Sequence, residues 1–257
     1  MLTIAGLWLY PIKSLGGVAV DRAEVTAEGS LRWDREWLVV DDAGNMLWQG
    51  DLPRMTLLRV SLQDRQLSVS RPDGGEITIP TDHDGPACQV AQYGNSFAGV
   101  DAGDDAATLL SDWLQQSVRL VRIGAGAHRW PKVNPLHVLS DGSLTALNAR
   151  LGEKGEAPME LMRFRPNVYL EGATTPFEEE MRPVIDFGAA QIVLREPATR
   201  CELVNISLND GSEEREPLRT IAAMSRERTT ARRGSFGTYA QVRGDGLIRG
   251  MTERSGA

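Results

Sequence analysis

The chain is short of the side chains that build cross-links, metal clusters and basic surfaces. It holds two cysteines, Cys88 and Cys201, and three histidines in 257 residues. Two cysteines cannot make a disulfide framework, and with three histidines they give neither a CxxC nor an HExxH zinc signature. They also cannot ligate an iron–sulfur cluster that needs four protein ligands. Lys and Arg number 28 against 35 Asp and Glu, a net −7, which argues against a general nucleic-acid or anionic-membrane binder. No apolar run reaches the roughly 18–20 residues of a membrane span, and Met1–Tyr10 reads as a strand rather than a signal peptide. These absences point to a soluble, cytoplasmic protein. Hydrophobic residues make up 41% and there are 26 glycines, a globular composition with room for one or two domains.

Charge is uneven along the chain. Residues 1–194 carry 17 basic and 26 acidic groups, whereas 195–257 carry 11 and 9. Only Lys13, Lys132 and Lys154 are lysines. Arginine suits planar recognition of phosphate or carboxylate, although codon composition accounts for most of the bias.

The first hundred residues read as short strands. Leu2–Tyr10 ends at Pro11, Ala19–Thr26 alternates, and Trp37–Val40 and Met46–Trp48 flank the hairpin signature Asp41–Asn45. Leu57–Leu62, Leu67–Ser70, Ile77–Ile79 and Cys88–Tyr93 continue the series, a spacing that suggests a sandwich or barrel. Ala106–Gln116 then reads as a helix opened by Asp104 and Asp105, followed by a strand over Val118–Ile123. Gly124–Pro135, with His128 and Trp130, is the candidate linker. Beyond it, Asp141-Gly142-Ser143 caps a helix through Leu151, Val168–Leu170 and Gln191–Leu194 read as strands, and Pro217–Arg226 opens a helix with proline. Phe236–Val242 and Leu247–Arg249 close the chain. The expected class is α+β and mostly β, with a β-rich first part and a mixed second part.

Several short segments can carry chemistry. Tyr10-Pro11-Ile12-Lys13-Ser14, followed by Gly16-Gly17, places an ammonium and a hydroxyl in a glycine-flanked loop, which is either an anion cradle or a solvated turn. Asp34-Arg35, taken alone, is a surface pair. In Phe164-Arg165-Pro166-Asn167, proline fixes the backbone so that Arg165 and Asn167 project the same way from an extended segment. Thr199-Arg200-Cys201 follows a strand ending at Pro197; its cysteine is a thiolate nucleophile, a soft metal ligand, or an inert buried thiol. A Cys–His hydrolase would need His83, His128 or His137 to reach Cys201 by folding. Phe236-Gly237-Thr238-Tyr239 can deliver a phenol, and Glu178-Glu179-Glu180 reads as a solvated face.

In this order the segments resemble proteins with a MOSC domain, named for the C-terminal domain of molybdenum cofactor sulfurase, preceded by an N-terminal β-barrel domain. The resemblance rests on the YPIKS opening, the Asp34-Arg35 strand entry with Trp37, and the helix from Ser143 to Leu151. FRPN, Arg200-Cys201, the Glu216–Thr220 helix start and FG-x-Y complete it. It implies a β-barrel-like domain over 1–125 and a mixed β-barrel MOSC domain over 126–257. It implies the molybdenum cofactor (Mo–molybdopterin) rather than pyridoxal phosphate, with Cys201 as the thiolate ligand to the metal. Lys13, Ser14 and Arg35 would then hold the cofactor's phosphate end, and Arg165 and Asn167 its pterin side. Thr199 and Arg200 would flank the metal, with Tyr239 closing the pocket, in a cleft between the two domains.

The chain departs from the pattern at Gln49-Gly50, where many relatives have arginine and Arg54 is the nearest substitute. It departs again at Ile206-Ser207-Leu208, where an acid is usual, and at the ending Ile248-Arg249-Gly250-Met251-Thr252, which shortens or removes the last strand. The implied activity is reduction of small N-hydroxylated compounds with electrons from a ferredoxin- or cytochrome b5-like protein. The alternative is a cofactor or sulfur carrier using Cys201.

Overall fold

The computed structural model describes residues 2–128, 135–186, 190–228, 232–244 and 246–250. β1 (Thr3–Leu9) buries Ile4, Leu7 and Leu9 and stops short of Pro11, which cannot donate to a ladder. The stretch read as one strand from Ala19 to Thr26 divides into β2 (Val18–Ala19), paired with β1, and β3 (Arg22–Glu24), paired elsewhere. β4 (Trp37–Val40) is buried throughout. Its expected hairpin arm, Met46–Trp48, shrinks to a single bridge from Met46 to Val40, because the Met46 N–H donates to the Ala91 carbonyl.

β5 (Arg59–Gln63), β6 (Gln66–Ser70) and β7 (Glu76–Pro80) form an antiparallel meander. β8 (Ala87–Gln92) pairs with β9 (Asn95–Asp101), which the sequence pattern does not announce because Gly99 interrupts it. α1 (Asp104–Leu114) begins with two acids, favourable at a helix N-terminus, and buries Leu110, Trp113 and Leu114. β10 (Arg119–Arg122) then joins β4 and β9, giving the order β4-β10-β9-β8. Of the expected linker, Gly124–His128 forms a 3-10 turn; residues 129–134, Trp130 among them, and the His128 side chain lie outside the described residues.

β11 (Leu136–Ser140), α2 (Asp141–Gly152) and β12 (Val168–Glu171) make a parallel crossover. Ser140, one residue earlier than expected, caps α2 by accepting the Ser143 N–H. α3 (Glu178–Met181) overturns the expectation of a solvated acidic face. Glu179 is fully buried and accepts the Ser140 and Ser143 hydroxyls, both at 2.6 Å. Glu178 accepts the Thr174 N–H and hydroxyl, and Glu180 pairs with Arg228 at 2.7 Å. These acids leave water because each is given a polar or cationic partner.

β13 (Val184–Asp186) and β14 (Gln191–Thr199) follow, and β14 runs past Leu194 and Pro197 by means of register shifts. Pro217 stands at the cap of α4 (Leu218–Arg226) rather than in its first turn. β15 (Ser235–Arg243) and β16 (Leu247–Arg249) complete the fold. β16 pairs with β3, so the closing strand is short but present; Met251 and Thr252 lie outside the described residues.

The protein is mostly β, with four helices among the described residues. Its largest sheet runs β13-β14-β15-β11-β12-β1-β2, so the first strand of the chain is built into the sheet of the second half. β1 lies antiparallel to β12, with Leu7 opposite Val168, and β11 lies antiparallel to β15, with His137 opposite Tyr239. That register delivers the Tyr10 loop, residues 164–167, His137 and Tyr239 to one region. Beneath them the Phe164 and Phe236 rings pack at a tilt of 51° with centroids 4.8 Å apart, worth about 0.5–1.5 kcal/mol beyond their burial.

Candidate active site

The site grows from the end of β1. Tyr10 is 1% exposed, and its ring lies 4.2 Å from the Arg165 guanidinium and 5.1 Å from that of Arg35. Its hydroxyl donates to the Pro166 carbonyl at 3.2 Å and its N–H to Asp34 Oδ1 at 2.8 Å. Burial raises the Tyr10 phenol far above its ordinary value, so it serves as an uncharged plate for two cations. Asp34 is fully buried and ion-paired with Arg35. The expected surface pair is therefore a buried hinge of the site, because the Asp34 carboxylate has both a cation and a backbone donor.

Arg35 also donates to Asn167 Oδ1 at 3.0 Å. Asn167 is fully buried; its Oδ1 also accepts the His137 N–H at 3.2 Å, and its Nδ2 donates to the Trp8 carbonyl at 3.1 Å. It ties β1 to β11 and steers Arg35 from behind the cluster. Arg165 does not project from an extended segment: it ends a short 3-10 turn in the left-handed region, φ 51°, and donates to the Leu15 carbonyl. Arg200 donates to the Phe164 carbonyl at 2.9 Å, and its Nε is buried without a protein acceptor. Ser14 is buried in the turn beside Lys13.

Four cations thus converge, with Asp34 as the carboxylate paired to one of them, Arg35. Burial first, then Arg35 and Arg165, pulls Lys13 down to about 7. Burial likewise lowers Arg165 to about 10, with Arg35 and Arg200 adding repulsion, and it lowers Arg200. Like charges in partly desolvated surroundings repel strongly. The arrangement calls for an anion.

The backbone is held just as tightly. Ser14, Arg35 and Arg165 all have positive φ (69°, 56° and 51°) without being glycine, at roughly 1–2 kcal/mol each. Such strain gathers where surrounding structure imposes it, often at functional sites. His137 braces the floor: its ring nitrogens face the carbonyls of Phe164 at 3.0 Å and Phe236 at 3.1 Å. Burial, assisted by Arg200, holds its pKa well below the ordinary value, so the ring is neutral and donates to one of the two. Gly237 is required here, because a Cβ would meet His137 Nε2 at 2.5 Å.

Cys201 is exposed at the mouth, beyond the end of β14, with Arg200 anchored through its N–H to the Gly234 carbonyl at 2.9 Å. Thr199 is exposed, and its carbonyl accepts the Tyr239 hydroxyl at 3.3 Å. Tyr93, which no motif singled out, brings its ring to 4.1 Å from Lys13 Nζ. Tyr10, Asp34, His137 and Tyr93 therefore join the residues read from the motifs. Only the adjacency of Asp34 to Arg35 and the place of Tyr10 before Pro11 gave a sequence signal. Among the departures, Gln49 is buried with Oε1 unpartnered while Arg54 is exposed, and Ser207 is buried, accepting the Asn209 N–H. No group of three His, Cys, Asp or Glu able to hold a metal occurs among the described residues, nor does any helix long and apolar enough to cross a membrane.

Comparison with known proteins bears on this arrangement. A family model described as the MOSC N-terminal beta barrel domain matches residues 1–117, and one described as the MOSC domain matches 125–250. Mitochondrial amidoxime-reducing component 1 of Mus musculus is 31% identical, covering 96% of this chain and 80% of its own length. Mitochondrial amidoxime reducing component 2 of Bos taurus is 30% identical, covering 85% and 71%. Molybdenum cofactor sulfurase of Oryza sativa subsp. japonica is 26% identical, covering 86% of this chain and 30% of that protein.

Proposed function

The chain belongs to the MOSC family and carries the family's N-terminal β-barrel domain; from that premise we propose that it is a molybdenum cofactor-dependent reductase of N-hydroxylated compounds. The overall reaction takes two electrons and two protons, breaks an N–O bond, and yields the N–H compound and water. The names of the amidoxime-reducing relatives support the substrate class. The observation that carries the reading is the cationic cluster set beside an exposed thiol.

The residues suit the cofactor on grounds of their own. Lys13, Arg35, Arg165 and Arg200 outnumber their carboxylate partner, and Arg200 Nε is buried without an acceptor, as befits a cleft built for a phosphate-bearing anion. Lys13, Ser14 and Arg35 would hold the phosphate end, Arg165 the pterin side, and Cys201 would supply a soft sulfur ligand with Thr199 and Arg200 flanking it. Asn167 orients Arg35 by its hydrogen bond, and Tyr239 closes one side by docking on Thr199. When bound, the cofactor supplies the two-electron redox chemistry; the chain supplies orientation and electrostatics. Electrons come from a separate protein of the ferredoxin or cytochrome b5 kind, since this chain's two cysteines do not suffice for a four-cysteine cluster.

The test is turnover. Protein made in a cofactor-competent host and given a reduced viologen should convert an aryl amidoxime to the amidine. A protein that holds molybdenum yet reduces no N-hydroxylated compound from any donor is instead a cofactor or sulfur carrier, a role the exposure of Cys201 also suits.

A further inference from the structure

Cys201 is exposed, so its position is set by the backbone on either side of it rather than by packing of its own side chain. Both sides are fastened to α4. Downstream, Cys201 opens a short 3-10 turn, Glu202–Asn205, whose Val204 N–H donates to the Cys201 carbonyl at 3.3 Å. Val204 is buried, and Asn205 Oδ1 accepts the Leu218 N–H, the first of α4, at 3.0 Å. Upstream, the Arg200 N–H donates to the Gly234 carbonyl at 2.9 Å. The Gly234 N–H in turn donates to Ser225 Oγ, in the last turn of α4, at 2.8 Å.

Ser225 is 3% exposed. A serine inside a helix turns its hydroxyl back on the preceding turn, and this one donates to the Ala222 carbonyl at 3.1 Å. Its oxygen is left to accept, and it accepts from the residue that holds Arg200. Arg228, just beyond α4, adds a second strut. Its Nη2 donates to the Ser235 carbonyl at 2.8 Å, and Ser235 is the β15 partner of Thr199. That strut is itself fixed, with Nη1 on Glu180 at 2.7 Å and the guanidinium 3.6 Å from the Phe177 ring centroid. We propose that Ser225 is a positioning residue for Cys201: through Gly234 and Arg200 it fixes the backbone that presents the sulfur, with Arg228 as its outer support. This rests on the role of Cys201 in the proposed function, but the hold itself does not depend on turnover.

The experiment compares the parent with Ser225→Ala, which removes the oxygen, and with Arg228→Lys, which keeps the charge beside Glu180 but loses the fork. Val40→Ala, a core truncation in the β4-β10-β9-β8 sheet, is the control that lowers stability without touching the loop. In cofactor-free protein, amide exchange at Arg200, measured against the core amides of β11, should quicken about 5-fold in Ser225→Ala. That ratio should stay at the parent's value in Val40→Ala. In loaded protein, kcat per molybdenum should fall about 10-fold in Ser225→Ala, with KM for benzamidoxime within about twofold of the parent's. Arg228→Lys should move both readouts the same way, and it carries the comparison if Ser225→Ala does not fold. An unchanged exchange ratio in the loop variants, the parent's kcat per molybdenum in those variants, or an equal loss of kcat in Val40→Ala would overturn the proposal. A parent that reduces no amidoxime sinks the reductase reading, and the exchange ratio then decides this one alone.

Discussion

The β5–β6–β7 meander and the cationic site treat charge and backbone in opposite ways. In the meander Leu67, Val69, Ile77 and Ile79 alternate inward, and the Arg65–Asp82 pair stays in water, 70% and 61% exposed. Its left-handed residues, Asp64 and Arg65, sit in a two-residue hairpin turn that demands them. In the site, Lys13, Arg165 and Arg200 are desolvated beside Arg35, and Ser14, Arg35 and Arg165 take left-handed φ outside any such turn. The meander obeys local rules, whereas the site breaks several at once with residues drawn from four distant segments. Such coincident violations mark where function rather than stability has set the residues.

The contrast can be tested by perturbing each side. The largest effect is expected at Cys201: exchanging soft sulfur for a hydroxyl in Cys201→Ser should cut amidoxime turnover at least ~100-fold, about 2.7 kcal/mol of barrier. Molybdenum should largely remain, because the cations that hold the anionic end are untouched; full activity in the loaded variant would refute cysteine ligation. Next is Asp34→Ala, which strands Arg35 and the Tyr10 N–H. Unfolding should become easier by about 3 kcal/mol, a fall in Tm of roughly 6–12 °C for a chain of this size; a change of a degree would show that the buried Asp34–Arg35 pair does not hold the site together.

Lys13 gives a smaller effect with a definite pH signature. Its pKa falls from 10.5 to about 7 on folding, so between those values the unfolded chain binds more protons and stability rises with pH; below about 7 the penalty is fully present. Thermal melts of cofactor-free protein should show that rise, and Lys13→Met should abolish it while weakening cofactor retention. A flat profile in the parent would mean that the amine is not desolvated. Smallest of all, Arg65→Ala in the meander should shift stability by less than ~1 kcal/mol, since an exposed pair contributes little.

How much of this could be read from the chain follows the same division. Strands with alternating faces, such as β6 and β7, were legible, as was α1 with its acidic first turn. β11 was not: it lies between β12 and β15 with every residue buried, and a strand covered on both faces has no alternation to detect. The motifs singled out Lys13, Arg35, Arg165 and Cys201 but missed the burial of Asp34 and of Glu179, because a carboxylate's environment is decided by partners far away in the chain. Tyr93 left no trace, since nothing in a Tyr-Gly turn tells that its ring meets Lys13.

The central claim, that the convergent cations and Cys201 form one cleft for a molybdenum-bearing anion, is tested most directly by the molybdenum content of protein purified from a cofactor-competent host. The account predicts about one atom per chain in the parent and a marked loss in Lys13→Met, whose fold is intact. A parent free of molybdenum, or a variant that retains it as fully as the parent, would contradict it.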